Sequence, residues 1–293
     1  MEDGWTLATI LIKVGLYATS FIAAGTVFFL ITVRPNGPAI HGPTRLLSGL
    51  SALIALAFTL LYVAIQAGFL ADDGLAGMVD GDMVNFILDG PAGLSSKVLL
   101  FGLITVVLVS FTPISAPPIY GWIAGMGALF IVISFTLAGH TTNGNIPVSA
   151  GLIAVHLFAV SFWLAALWPL YHQGRHLKVE QLIATAERFG KQAMLVVPAL
   201  LLVGVVLSIF LVGSITALFS TSYGLFLLGK ITLVVLLLSL AALNKYRFIP
   251  ALKDGEVDAL NHFKRSIRLE VLLFSVILLI TSILTSALEL PTG

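Results

Sequence analysis

Long apolar runs separated by short polar breaks dominate this chain. A membrane-spanning helix needs about 20 mostly apolar residues. Eight segments qualify, at about 7–33, 44–70, 95–111, 119–138, 148–171, 190–213, 223–243 and 267–288. The breaks carry turn chemistry: Pro35-Asn36-Gly37-Pro38 after the first run, Pro113 and Pro117-Pro118 after the third, and Pro147 before the fifth. Proline removes a backbone donor and glycine frees the backbone, so such clusters end helices. Pro198, inside the sixth run, predicts a local kink. The pattern predicts an all-α, polytopic membrane protein with eight transmembrane helices.

Composition agrees. The chain is 58% hydrophobic and only 10% charged, with a mean hydropathy of +1.06, whereas about a quarter of a soluble domain is charged. Helices satisfy their own backbone hydrogen bonds in hydrocarbon, which makes them the expected spanning element. A net charge of +1 leaves no electrostatic footprint for nucleic acid. Cysteine is absent, which excludes disulfides, thiolate zinc sites and iron–sulfur clusters. The opening Met-Glu-Asp-Gly-Trp lacks the basic region of a signal peptide, so the first run reads as a retained helix.

Loop charge then sets an orientation. Arg34 and Arg45 flank the first loop, Arg175, Lys178, Arg188 and Lys191 the fifth, and Lys245, Arg247, Lys253, Lys264, Arg265 and Arg268 the seventh. All three fall on one face of an eight-span bundle, which the positive-inside rule makes cytoplasmic. The second loop carries Asp72, Asp73, Asp80, Asp82 and Asp89 without a base. It falls on the opposite face with both termini, giving an N-out/C-out arrangement.

The halves 1–138 and 139–293 look related. Residues 12–25 read IKVGLYATSFIAAG and residues 153–166 read IAVHLFAVSFWLAA, matching at Val14/Val155, Leu16/Leu157, Ala18/Ala159, Ser20/Ser161 and Phe21/Phe162. Arg45 and Arg188 each open the next helix, and Lys97 and Lys230 each lie near the start of the third. Two four-helix repeats in parallel orientation are expected, since four crossings return the chain to its starting side. Two positions break the match: Gly15 stands where the second half has His156, and Ile22 where it has Trp163.

Ionisable groups inside apolar runs point to function. His156 is the histidine set well inside such a run, and a loop of about 8 residues lets His140 fold back over it. Imidazole suits copper, zinc and haem iron. A histidine that only hydrogen-bonds a neighbouring helix is equally compatible with the spacing. Met126, with Met78 and Met83, are candidate additional ligands on the outer side, set against packing filler. Trp163 follows His156 by seven residues and shares its face, either walling the site or packing. His172 and His176 have the i, i+4 spacing of a metal pair. Gly174 between them is a candidate helix end, which would leave a solvated turn. Lys13, Lys97 and Lys230 read as lysines that snorkel to the interface, with an internal partner expected for Lys230. Glu270, near the start of the last run, is expected in an ion-pair cluster with Arg45, Arg188, Asn244 and Arg247. The alternative is a proton or ion exit path. No G-x-S-x-G, H-E-x-x-H or P-loop motif is present, and nothing assembles a nucleophile with a base, so no enzyme is expected.

Several stretches in order resemble the copper resistance protein D family (CopD/PcoD). They are Gly139-His140, then His156 with LFAVSFW and Trp163, then Glu187-Arg188-Phe189. Ser222-Tyr223-Gly224 with Lys230, Asn244-Lys245-Tyr246-Arg247 and Arg268-Leu269-Glu270 follow. The similarity is clear over about 139–288 and diffuse before it. Leu164-Ala165-Ala166 follows Trp163 where the family commonly has Leu-Gly-Gly. The resemblance implies a multi-pass protein of the bacterial cytoplasmic (inner) membrane that handles copper, moving it inward from the periplasm. It also implies a periplasmic CopC-type copper-binding partner, and copper ligation by His140 and His156. Trp163, Lys230, Glu270 and Met126 would then be supporting or pathway residues. Two other readings stay open: a haem-binding redox protein with histidine axial ligands, and a non-transporting assembly factor that docks a partner at the membrane.

Overall fold

A computed structural model describes residues 2–35, 37–113, 117–137 and 146–288, with nothing said of the side chains of residues 2, 3, 38 and 146–148. Every regular element among them is helical. The main helices are α1 (Glu2–Thr32), α2 (Pro38–Ala71), α3 (Gly81–Asp89), α4 (Pro91–Ser110), α5 (Ile119–Ser134) and α6 (Ile146–His176). They continue with α7 (Val179–Val212), α8 (Ile215–Ser220), α9 (Ser222–Leu243), α10 (Ile249–Lys253) and α11 (Ala259–Leu284). Among the described residues seven helices are long and apolar enough to cross a membrane, while α5 is apolar but shorter. The chain is an all-α, multi-pass membrane protein.

Helix ends depart from the apolar runs in an instructive way. The sixth and eighth runs begin at about 190 and 267, yet α7 starts at Val179 and α11 at Ala259. The added turns hold Glu187, Arg188, Lys264 and Arg265. Such residues form helix well but stay out of hydrocarbon, so hydropathy marks the immersed part and not the whole helix. α5 does the reverse and stops at Ser134, where Ser95 Oγ on α4 donates to the Ser134 carbonyl at 2.8 Å. α6 passes through Gly174, which therefore does not end the helix. Gly174 packs where a Cβ would touch Leu182 and Leu260 at 3.4 Å. α7 is continuous through Pro198.

The first helix of each half lies at the centre. α1 packs on α2, α5, α6 and α11, and α6 packs on α1, α7 and α11. Some pairings recur in the two halves, first helix with second and fourth and third with fourth, but α2 also packs closely on α4 whereas α7 and α9 barely meet. Small residues permit the tightest crossings. A Cβ on Gly25 of α1 would overlap the Ser161 carbonyl of α6 and lie 2.7 Å from Ala165 Cβ. Backbone therefore touches backbone there, as small-residue interfaces allow in lipid. Gly102 and Gly127 do the same for α4 and α5. The outward faces are covered with exposed Leu, Ile and Phe, among them Leu195, Leu202 and Ile209 on α7. That is the surface a lipid-embedded bundle requires.

Candidate functional site

His156 stands ten residues into α6, about 15 Å along it. Its ring faces α7 at Gly204, where a Cβ would lie 3.7 Å from His156 Cε1 and 3.9 Å from Nδ1. Nδ1 is buried and has no hydrogen-bond partner among the described residues. A buried polar atom left unpaired costs about 1–3 kcal/mol, so it calls for an explanation. The Lys230 ammonium on α9 lies within electrostatic range of this ring. Lys230 makes no hydrogen bond or ion pair among the described residues, so the internal partner expected for it is not there.

The first half solves the same packing problem in reverse. Gly15 falls opposite His156 when the two matching stretches are aligned, and the Phe58 ring of α2 rests directly on it, where a Cβ would clash. The first half has a bare α1 position filled by a large α2 side chain. The second has a large α6 side chain facing a bare α7 position. Gly204 is thus part of the His156 environment, and a lone glycine in an apolar run is its faint sequence signal.

The other candidates separate. His140 lies outside the described residues. Met126 is 52% exposed on the outer surface of α5. Met78 packs beside Gly68 near Trp5, and Met83 packs against Val63, Ala67 and Ile87. His172 and His176 share one face of a continuous α6 with ring centroids 4.7 Å apart, and Trp168 stacks on His172 at 4.8 Å. No group of three or more His, Asp or Glu that could hold a metal ion occurs among the described residues. Lys13 and Lys97 end on backbone carbonyls, of Thr285 at 2.9 Å and Leu88 at 2.8 Å, as expected of lysines near helix ends.

Trp163 and Glu270 form a second interior centre. Trp163 Nε1 donates to Glu270 Oε2 at 3.1 Å, and Asn244 Nδ2 donates to Glu270 Oε1. Glu270 is 2% exposed. Phe274 packs edge-on to the Trp163 indole with centroids 5.7 Å apart. Asn244 opens a π-helical turn, Asn244–Phe248, that joins α9 to α10, and its Oδ1 is buried without a partner. Wide turns of this kind recur at functional sites. The expected ion-pair cluster does not form. Arg45 Nη2 donates to the carbonyls of Val109 at 2.7 Å and Thr112 at 2.9 Å, and Arg188 Nη1 to that of Arg34 at 2.7 Å. Carbonyls at the helix ends outcompete a carboxylate set deep in α11, and Glu270 has no cation partner among the described residues.

An imidazole with an unpaired nitrogen is chemically able to ligate a borderline metal such as copper.

These features define a class: a multi-pass helical membrane protein with an idle imidazole and a buried, uncharged-partner carboxyl in its interior. Two family models match. Copper resistance protein D matches residues 183–284, and the copper resistance protein D-like N-terminal domain matches residues 1–148. The chain belongs to the copper resistance protein D family. The match reaches the first half, where residues alone gave only a diffuse likeness. Residues 149–182, which hold His156 and Trp163, lie between the two matched segments. No curated protein and no solved structure matches the chain.

Proposed function

We propose that this protein carries copper across the bacterial cytoplasmic membrane, inward from the periplasm, and is not an enzyme. The reading places eight crossings in two parallel four-helix repeats, 1–138 and 139–293, with both termini in the periplasm. It rests on the family, on the basic loops gathered at one end, and on three helix pairings that recur in both halves, first with second, first with fourth and third with fourth.

The observation that carries it is the unpartnered Nδ1 of His156 opposite Gly204. On this reading copper arrives from a CopC-type periplasmic partner, meets His140, and passes to His156. The Lys230 ammonium keeps its stay there short. Trp163 and Glu270 lie farther along α6 and α11, and the Glu270 carboxyl would offer oxygen to the ion on its way out. Met126 faces away from the bundle and drops out of the pathway.

The test is cellular copper accumulation in wild type and in His140→Ala and His156→Ala, with metal content and visible spectrum of each purified protein. Both variants should lose accumulation while remaining folded. Unchanged accumulation in His156→Ala sinks the transport reading. A Soret band lost in the variants would put the haem reading in its place, and a co-purifying partner without copper movement would favour the docking factor.

A further inference from the structure

A cavity of about 520 Å³ opens at the end of the bundle where α6 finishes and α11 begins. Arg175, Lys264, Arg265 and Arg268 line it, with His262 beside them. No carboxylate is among its lining residues. None of the four cations makes a hydrogen bond or ion pair among the described residues. Elsewhere Arg45 and Arg188 end on carbonyls, and Lys253 pairs with Glu187. Four cations around one cavity repel one another, and no anion among the described residues meets them, so the cavity suits an anion with several acceptor oxygens. Tyr171 and Asn261 add a hydroxyl and an amide to the same lining, groups that fit a phosphodiester.

A second feature says which anion. On α11 the stripe that carries Arg265 and Arg268 continues through Leu269, Leu272, Val276 and Leu279, exposed by 41%, 59%, 37% and 40%. These positions recur every three or four residues and so form one face. A charged head in the cavity would have an apolar track rising from it along the lipid-facing side of α11. Basic pockets between helices at a membrane surface bind acidic lipid headgroups in this way.

We propose that the α6/α11 cavity is a binding site for an anionic phospholipid, with the phosphate held by Arg175, Lys264, Arg265 and Arg268 and an acyl chain lying along α11. The site is independent of the copper pathway.

The experiment is native mass spectrometry of the full chain in detergent with added phosphatidylglycerol or phosphatidylcholine. Wild type should retain phosphatidylglycerol selectively. Lys264→Gln/Arg265→Gln/Arg268→Gln should retain it about a hundredfold more weakly, since each cation near a membrane surface contributes about fivefold. A control losing equal charge elsewhere, Lys178→Gln/Lys191→Gln/Arg247→Gln, should behave as wild type. Leu272→Ser/Val276→Ser keeps all four cations and should still lose lipid affinity, which covers the case that the triple variant misfolds. Equal retention of the two lipids, or equal loss in the control, would overturn the site. Full displacement of lipid by inorganic phosphate, with no effect of the Leu272 and Val276 changes, would overturn the lipid and leave a soluble phosphate as ligand.

Discussion

Trp163 on α6 donates its indole N–H to Glu270 on α11 at 3.1 Å, in the interior of the bundle. Both groups are almost fully buried, at 3% and 2% exposure, so neither finds water if the other is removed. Trp163→Phe deletes the donor and also shortens the buried ring that packs on Phe274. The expected loss is about 1–3 kcal/mol, read as a lower thermal midpoint in detergent. Removing both partners together in Trp163→Phe/Glu270→Leu should cost less than the sum of the single changes. Additive losses would mean that the bond contributes nothing.

Gly25 gives a sharper stability prediction. Its backbone lies against the Ser161 carbonyl, and backbone cannot swing aside as a side chain can. Gly25→Ala should destabilise by at least about 1–3 kcal/mol, the usual range for overpacking. Size-exclusion chromatography after mild heating checks this. Gly151, with nothing within 4 Å of a Cβ, is the matched control and should tolerate alanine.

The His156 gap is testable by filling it. At Gly204 an alanine Cβ would make ordinary contact with the imidazole at 3.7 Å, so Gly204→Ala should fold and move copper. Gly204→Leu would press into the ring and occupy the space beside Nδ1. Copper accumulation should fall to the level of His156→Ala while the amount of protein in the membrane stays close to wild type. Normal transport in Gly204→Leu would remove His156 from the route.

On the proposed copper route, Lys230 should act on residence time. Replacing the ammonium by the neutral, similar-sized chain of Lys230→Met removes a repulsive charge near the imidazole. Copper retained by the purified protein should rise, and net passage should fall because release is slower. The effect should vanish in a His156→Ala background. Copper retention that stays unchanged, or rises equally without His156, would show that the two residues do not share an ion.

The helices were legible because hydrocarbon imposes one strong rule on composition, and the apolar runs obey it. Their ends were less so: α7 and α11 extend outward on Glu187, Arg188, Lys264 and Arg265, which hydropathy discards. His156, Trp163 and Glu270 stood out as polar groups in apolar surroundings. Their partners did not. Gly204 is silent in a pattern of side chains because it has none, and Asn244 reaches Glu270 through a π-helical turn that no periodicity announces. The ion-pair expectation failed for the same reason. Sequence places charges near one another along the chain, while free backbone carbonyls at helix ends compete for them in space.

The Phe58 ring seated on Gly15 has an electrical consequence. A bundle that lets one metal ion through must hold back sodium ions and protons, or it drains the gradient that drives it. A phenyl ring lying on bare backbone puts no polar side chain at that contact. If copper crosses by way of His156, the contact between Phe58 and Gly15 leaves the first half no matching ligand for an ion at that point.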